Sequence, residues 1–404
     1  MPFRRVNRWP QTNGPLHFPT IVRIAPFTSF FLDGLRFLAA LGVVFAHLDN
    51  SRLVPGAAAV QAYGGCFVVA FFVLSGCVIA ATTDPSRSDG VRYFAVRLAR
   101  LWTVALPALA VAYVLQIIGE QWEPGFFSGF DRGYSSLRYF LTAIFANEFW
   151  FASTGPPMDL PVWSLAYEFW YYTLFGIAVY VRKPLARALA LLLVCGIVGP
   201  KLLLLFPIWL LGVGVWQIIR FRHVLERWAL VIIGASAALM AALVIVHPRW
   251  PGNIGSAPWF FSGAWISDWL FGLGIAGLIV GTDARFHSRA VPRLLNAAIK
   301  QGAGVSFSLY LLHYPLMVFC AAFLPYDPSS RGQVAGVLAL VFLVVYAFGS
   351  VFEPQRKPWA LRLEATVRIL LRRFGPVTEG AAGSYVTATA AAAGRDLPDA
   401  GIGR

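Results

Sequence analysis

The feature that most constrains the fold of this chain is a series of long apolar segments, which follow one another with short interruptions from Phe27 to Glu353. A helix of about 20 apolar residues is long enough to cross a bilayer. Charged residues make up only 13% of the chain and hydrophobic residues 58%, whereas soluble domains are about 25% charged. The sequence therefore excludes a soluble protein and predicts an all-α fold, a polytopic membrane helix bundle.

We predict ten transmembrane helices within one membrane domain, residues 27–356. They cover residues 30–48, 62–81, 98–119, 160–181, 185–200, 202–219, 228–247, 259–281, 303–324 and 334–353. Three further segments are predicted around this domain: a basic cytoplasmic arm at 1–26, a basic amphipathic interfacial segment at 357–375 and a disordered tail at 376–404.

The distribution of positive charge predicts the orientation in the membrane. With the amino terminus inside, the segments on the cytoplasmic side hold 26 of the 33 Lys and Arg residues, and those on the opposite side hold six. Cytoplasmic loops of membrane proteins carry such an excess of Lys and Arg. We therefore expect both termini in the cytoplasm, and the net charge of +14 reflects topology and not nucleic-acid binding.

The longest outer loop, about residues 120–159, is rich in Gly, Pro, aromatic and acidic residues. Long irregular loops in compact domains often carry function. The acids and rings together suit a sugar-binding surface, but an aromatic belt at the membrane interface explains the rings equally well. Within this loop, residues 138–152 are too short to span, so we expect them to lie along the interface or to re-enter the membrane.

The first apolar segment, residues 30–48, carries three ionisable side chains. Asp33 and Arg36 are three residues apart, and His47 follows Arg36 by eleven residues. Eleven residues are about three helical turns, so Arg36 and His47 project from the same face with a rise of about 16 Å between them. Ionisable groups at this depth cost about 2.5–3.5 kcal/mol each to insert and usually face a functional cavity.

Five local patterns occur in a fixed order along the chain. They are Asp33-Gly-Leu-Arg36 followed by His47, the Phe71–Gly76 stretch with Ser75, the pair Arg97 and Arg100, Trp163-Ser-Leu-Ala-Tyr-Glu168, and Ser306–Pro315 with Tyr310 and His313, with Glu353 closing the last span. In this order they resemble the integral-membrane acyltransferase family 3, bacterial enzymes that O-acylate polysaccharides and other envelope or secreted molecules. The chain departs from the family at Pro107, which lies later than is usual, and at Cys77, where Phe is usual.

The resemblance implies a multi-pass enzyme of the bacterial inner membrane. Its donor would be acetyl-coenzyme A presented from the cytosol, and its acceptor a hydroxyl, most often on a sugar. No metal is implied, and the sequence contains no HExxH motif or Cys/His cluster that would hold one. The resemblance does not identify the acceptor, the oligomeric state or the acyl group beyond acetyl.

His47 is the residue best suited to acyl transfer. Imidazole can take the proton of an attacking hydroxyl as a general base, or it can attack the thioester itself and form an acyl-imidazole. The sequence does not separate these two roles. The structural alternative is a histidine that merely bonds a backbone carbonyl inside the bundle.

The arginines are candidates for binding the donor. A guanidinium group presents a rigid fork of N–H donors that suits phosphate, so Arg36, with Asp33 orienting it, is predicted to meet the phosphates or the thioester carbonyl. An ion pair between these two residues is the structural alternative. Arg97 and Arg100 would hold the nucleotide phosphates of coenzyme A, but a cytoplasmic loop needs basic residues in any case.

Helix rise places two further groups at a depth similar to that of His47. Glu168 is predicted about 12 Å below the outer end of its helix, and His313 about 15 Å above the inner end of its own. We therefore expect His47, Glu168 and His313 to share one cavity in which Glu168 orients His47, as a carboxylate does in nucleophilic sites. An ion pair with an arginine is the alternative for Glu168. Ser75, Trp163, Tyr310, His313 and Glu353 are possible cavity residues, with core packing as their alternative.

Two other classes of function compete with an enzyme. Buried His, Glu and Arg side chains could form the proton relay of a multi-pass transporter. Transporters often show repeated halves with matching broken helices, and the prolines that interrupt the predicted spans do not fall in register between halves. A structural subunit of an export complex would leave the cost of the buried charges unexplained.

Overall fold

The computed structural model describes residues 24–374, and no β-strand occurs among them. The predicted all-α helix bundle is confirmed for this part of the chain. Most of the predicted arm at 1–26 and the whole predicted tail at 376–404 lie outside the described residues.

A helix occupies each of the ten predicted spans. The longer helices are α1 (Pro26–Ala46), α2 (Gly64–Thr82), α3 (Gly90–Trp122), α4 (Ser135–Ala143), α5 (Trp163–Tyr180), α6 (Pro184–Val198), α7 (Pro200–Ile218), α8 (Ala229–Val246), α9 (Trp265–Phe286), α10 (Arg293–Gly304), α11 (Ser306–Phe323), α12 (Arg331–Phe352) and α13 (Arg356–Phe374). Of these, α4, α10 and α13 are not among the predicted spans.

Seven helical stretches of the described chain are long and apolar enough to cross a membrane, by length and composition alone. One of them, Pro200–Val246, contains both α7 and α8, and another, Arg331–Arg373, joins α12 to α13. The two predicted spans outside these stretches form α5, with 18 residues, and α6, with 15. The chain is a multi-pass membrane protein.

Helices α2 and α7 approach each other closely because two glycines face across their contact. A Cβ atom added to Gly76 would lie 2.0 Å from the carbonyl oxygen of Trp209, and one added to Gly212 would lie 2.0 Å from that of Val73. Small residues permit such backbone contact between membrane helices. The contact fixes the position of Ser75, the neighbour of Gly76.

Helix α1 packs against α2, α9, α10 and α11. Its Leu32, Ala40 and Val44 side chains belong to the main hydrophobic core, with exposures of 3% or less. Because α1 is surrounded by four helices, its polar residues also reach the interior of the bundle and not only its surface. Arg36 and His47 can therefore meet groups from distant parts of the chain.

The basic amphipathic segment predicted at 357–375 forms helix α13, which packs along α3. Arg368 joins the two helices, because its guanidinium lies 2.9 Å from a carboxylate oxygen of Asp89. Asp89 also accepts a hydrogen bond from the backbone N–H of Arg92 and so caps the start of α3. This contact holds α13 along α3, and Arg356 is the first residue of α13.

The loop at 120–159 folds partly into the protein. It contains the short helix α4, and beyond it Glu148 is fully buried with its carboxylate 2.5 Å from Nζ of Lys201, which is also fully buried. Asp159 is fully buried as well. These two acids therefore cannot belong to an exposed sugar-binding surface, and that hypothesis is wrong for them.

Candidate active site

A cavity of about 70 Å³ lies between α1, α2, α3, α5, α11 and the start of α13. Three guanidinium groups line it, from Arg36, Arg100 and Arg356, and we call it the arginine cavity. Glu168 is the acidic residue of its lining. The lining therefore carries an excess of positive charge and suits an anionic ligand.

Two of these arginines are oriented by carboxylates one helical turn away. Nη1 of Arg36 lies 3.7 Å from Oδ1 of Asp33, and Arg356 forms an ion pair with Glu353. The other carboxylate oxygen of Glu353 accepts hydrogen bonds from the backbone N–H and the hydroxyl of Ser308, at 3.1 and 2.9 Å. Glu353 thus connects the start of α13 to α11 and directs Arg356 to the cavity. The predicted ion pair between Asp33 and Arg36 is present, and Arg36 lines the cavity as well.

The side chain of Arg100 forms no hydrogen bond or ion pair with any residue in the 24–374 range. A guanidinium group has five N–H donors and remains charged in proteins. Leaving it unpaired inside a bundle is costly unless a ligand or water satisfies it. Arg100 is therefore the arginine of the cavity most available to an anion.

Glu168 is held by hydroxyl groups. Its Oε1 accepts hydrogen bonds from Ser75, at 2.8 Å, and from Tyr172. The indole N–H of Trp209 in turn donates to the Ser75 hydroxyl, at 3.3 Å. Ser75 is thus a buried link between Glu168 and α7, in agreement with the prediction that it lines a cavity.

A second cavity, of about 140 Å³, lies toward the other end of α1, and we call it the histidine cavity. His47 lines it, together with the polar side chains of Asn50, Gln61 and Asp268. Trp163 also lines it, and its ring stacks on that of Phe261 with 4.3 Å between centroids. This cavity combines flat aromatic surface with amide and carboxylate groups, whereas the arginine cavity is cationic.

Hydrogen bonds determine the tautomers of two neighbouring histidines. Nδ1 of His313 lies 2.8 Å from the carbonyl oxygen of Leu309, which can only accept, so Nδ1 carries the proton and Nε2 of the neutral ring does not. Nδ1 of His47 lies 2.8 Å from the carbonyl oxygen of Val43 and 3.3 Å from this Nε2. Because both neighbours are acceptors, Nδ1 of His47 carries the proton. Its Nε2 keeps the lone pair that a base or nucleophile needs.

Phe72 and Tyr310 separate the two cavities, because both residues line each of them. The Tyr310 hydroxyl donates to the carbonyl oxygen of Pro161, at 2.6 Å, and accepts from the Ser164 hydroxyl, at 2.7 Å. Phe72 is 3% exposed. Tyr310 and Phe72 therefore form a thin partition between a cationic and a histidine-containing compartment.

The prediction that His47, Glu168 and His313 share one cavity is wrong: His47 lines the histidine cavity, Glu168 lines the arginine cavity, and His313 lines neither. Glu353, also a predicted cavity residue, lines neither cavity. His47 and His313 are in contact, but Glu168 lines the arginine cavity on the other side of the partition. The hydrogen bonds of Glu168 go to hydroxyl groups and not to an imidazole. Helix rise gave similar depths for these residues, but depth alone does not state which way a helix face is turned. His313, and not Glu168, lies within hydrogen-bond distance of His47.

Arg97 is not among the residues that line either cavity. Its guanidinium donates to the Thr82 hydroxyl, at 2.9 Å, and lies over the ring of Tyr93, 5.3 Å from the centroid. The side chain is buried, with 8% exposure. Arg97 therefore connects α3 to the end of α2, and of the predicted pair only Arg100 faces the cavity.

Sequence reasoning missed two residues of the site, Arg356 and Asp268. Arg356 is the last residue of the predicted membrane domain and was given no role, although its position three residues after Glu353 is the spacing of an ion pair on one helix. Asp268 stands alone in the apolar stretch 259–281, and an isolated acid in a membrane segment is a signal of function. Both signals were present in the sequence.

Comparison with known families agrees with this geometry. Residues 29–352, more than half of the chain, match the family model described as Acyltransferase domain. The chain belongs to this acyltransferase family. No curated protein and no solved structure matches it. The matched range contains both histidines and the partition, and Arg356 lies just beyond its end. The protein is thus a membrane-embedded acyltransferase, and the transporter alternative gains no support from the match.

Proposed function

We propose that this acyltransferase moves an acetyl group from acetyl-coenzyme A, held at the arginine cavity, to a hydroxyl of a sugar or other envelope or secreted acceptor in the histidine cavity. The observation that supports this best is the position of Arg36 within α1 and of His47 directly after its last residue, each lining a different cavity. One compartment suits an anionic donor, and the other contains a base. Phe72 and Tyr310 line both compartments and lie between them.

The three arginines support an acyl-coenzyme A donor. Guanidinium groups bind phosphate through paired N–H donors, and coenzyme A carries several phosphate groups. Arg36 and Arg356 each have a carboxylate partner that fixes their direction but leaves donors free, while Arg100 has all of its donors free. Acetyl as the acyl group follows from the family resemblance alone.

The direction of transfer follows from the charge of the loops. Ser306 and Arg356 of the arginine cavity stand at the starts of α11 and α13, next to the basic segments at residues 285–300 and after residue 353. Membrane proteins place such segments in the cytoplasm. We therefore assign the donor side and both termini to the cytoplasm, in a bacterial inner membrane.

His47 can perform the transfer in two ways. As a base, its Nε2 takes the proton of the acceptor hydroxyl while the oxygen attacks the thioester carbonyl; the C–S bond then breaks and the thiolate receives the proton. As a nucleophile, Nε2 attacks the thioester first, and the acceptor oxygen then takes the acyl group from the ring while its proton goes to the coenzyme A thiolate. An acid quench without acceptor separates the two, because only the second route leaves label on His47.

His313 serves as a positioning residue in either route. Nδ1 of His47 donates to two acceptors, Nε2 of His313 and the carbonyl oxygen of Val43. This contact favours the tautomer in which Nε2 of His47 holds the lone pair. It also stabilises the ring when Nε2 gains a proton or an acyl group, since the ring is then positively charged.

The proposal is tested with the purified full-length protein in lipid nanodiscs, supplied with radiolabelled acetyl-coenzyme A and the envelope polysaccharide of cells that lack the protein. We expect wild type to transfer label to the polysaccharide. The His47→Ala variant should lose at least about 100-fold in rate, the lower end of what acid–base catalysis contributes. It should bind acetyl-coenzyme A as wild type does.

His287→Ala is the matched control. His287 also bonds a carbonyl oxygen four residues earlier, Asp283 at 3.1 Å, but it lines neither cavity. Its substitution removes an imidazole and the same type of backbone hydrogen bond. Equal transfer by wild type and His47→Ala would overturn the catalytic assignment, and failure of wild type to bind acetyl-coenzyme A would overturn the donor.

A further inference from the structure

A third cavity, of about 40 Å³, adjoins the histidine cavity, and Asp268 lies where they meet. We propose that these two cavities form one acceptor channel, which opens at the end of the bundle opposite the arginine cavity, and that the Asp268 carboxylate accepts hydrogen bonds from two hydroxyls of a sugar or polyol acceptor. This inference rests on the proposed function and names a specificity-determining residue for it.

Shared lining residues establish that the two cavities are adjacent. Gly65, Ile254 and Asp268 line both of them. None of these three shared residues has an aromatic ring, in contrast to Phe72 and Tyr310 between the arginine and histidine cavities. An acceptor that enters the third cavity therefore passes Asp268 before it reaches His47.

The ends of the helices show where the channel opens. The third cavity is lined at the start of α2, just after the end of α8 and at the start of α9, by residues that include Cys66, His247, Arg249 and Ser267. The arginine cavity is lined by Arg36, halfway along α1, by Ser75, in the second half of α2, and by Arg356, at the start of α13. Donor and acceptor would therefore reach the partition from opposite sides of the membrane.

Asp268 lacks the partner that a structural carboxylate would have. It is 9% exposed, yet among residues 24–374 its side chain forms no hydrogen bond or ion pair. A buried carboxylate without a partner is strongly unfavourable. Asp283, at the other end of the same helix, has the partners that a buried carboxylate usually has. The Thr28 hydroxyl donates to its Oδ1 at 2.6 Å, and Nε of Arg222 lies 3.3 Å from its Oδ2. The missing partner of Asp268 therefore indicates a ligand with N–H or O–H donors.

The rest of the channel favours a hydroxyl-rich ring. The side-chain amides of Asn50 and Gln61 line it close to His47, and neither amide forms a hydrogen bond with the described part of the chain. Trp163 and Phe261 offer stacked aromatic rings. Sugars present hydroxyl groups at their edges and C–H groups on their faces, so they match this combination of amide, carboxylate and ring. The part of the acceptor molecule that does not react would extend past Arg249 to the outer side of the membrane.

The first experiment measures transfer from labelled acetyl-coenzyme A to the envelope polysaccharide of cells that lack the protein, with the full chain in nanodiscs. Asp268→Asn should raise the KM for polysaccharide at least about tenfold and leave the affinity for acetyl-coenzyme A within twofold of wild type. Asp283→Asn removes a carboxylate from the same helix away from the channel, so its folded fraction should keep the wild-type KM. Asp268→Glu should retain most transfer, which controls for folding of the Asn variant. An unchanged KM in Asp268→Asn would overturn the proposal.

A second experiment does not depend on the acceptor or on catalysis. Cys66 is a native thiol in the lining of the third cavity, so a variant that keeps only this cysteine reports access. A membrane-impermeant maleimide should label it in spheroplasts, from outside the inner membrane, and not in inside-out vesicles. Labelling only from the cytosolic side would overturn the channel. If wild type transfers nothing to the polysaccharide but Cys66 reacts from outside, the proposed function fails and the channel stands.

Discussion

Nε2 of His313 lies 3.3 Å from Nδ1 of His47, although 266 residues separate them in the chain. Each ring also bonds the carbonyl oxygen four residues earlier in its own helix. The pair therefore has one arrangement of protons when both rings are neutral. In many nucleophilic sites a carboxylate orients the imidazole, whereas here a second, neutral imidazole occupies that position.

His313→Ala should lower kcat for acyl transfer by about 10- to 100-fold, the usual effect of losing a group that orients an imidazole. The KM for acetyl-coenzyme A should stay near wild type, because His313 does not line the arginine cavity. His313→Gln should recover part of the rate, since its amide oxygen can accept from His47. Steady-state kinetics checks this, and equal rates for the two variants would contradict the positioning role.

Acyl transfer should decline as the pH is lowered, because a protonated His47 has no lone pair on Nε2. The decline should follow one proton, since His313 cannot hold a second charge beside a protonated His47 at 3.3 Å. A profile of kcat/KM against pH checks this. The His47→Ala variant is the control. Any residual rate of acyl transfer in this variant should not depend on pH.

Arg100→Ala should weaken binding of coenzyme A by about tenfold or more, since a hydrogen bond to a charged group contributes about 1.5–3 kcal/mol. Arg97→Ala is the matched control, because Arg97 lies three residues earlier on α3 but bonds Thr82 and not the cavity. Isothermal titration with coenzyme A in nanodiscs measures both. A larger loss for Arg97→Ala would show that the donor lies elsewhere.

Gly76→Ala should prevent correct packing of α2 against α7, because the new Cβ atom would lie 2.0 Å from the backbone oxygen of Trp209. Overpacking commonly costs about 1–3 kcal/mol, and a clash with backbone should exceed that range. Gly196→Ala has no atom within 4 Å of the added Cβ and serves as control. Thermal unfolding of the detergent-solubilised proteins should show a fall in Tm for Gly76→Ala alone.

Lys201→Met should destabilise the protein strongly, because it leaves the carboxylate of Glu148 buried without its ion pair. Breaking a buried pair in this way typically costs about 3–5 kcal/mol. The double variant Lys201→Met with Glu148→Leu should recover much of that loss, since no charge is left buried. Thermal unfolding of wild type and the three variants forms a double-mutant cycle, and an additive result would argue against a direct interaction.

The amino-acid sequence by itself determined the class of fold and identified most of the residues whose side chains could take part in catalysis or in binding. Hydropathy and helix length are local properties, so they located a helix at each of the ten predicted spans. Asp33 and Arg36 are three residues apart on one helix, and the ion pair that this spacing allows is present. The same reasoning put Arg36 and His47 on one helix face, whereas in the structure they line two different cavities.

Only the tertiary structure decided which groups meet. Rotation of each helix about its axis, and contacts such as that of Gly76 with Trp209, place Glu168 with the arginines and His313 with His47. These orientations depend on packing between segments hundreds of residues apart, which no local pattern records. The same packing turns Arg97 away from the arginine cavity and brings Arg356 into its lining. The charge of the two side chains is the same, so charge does not distinguish them.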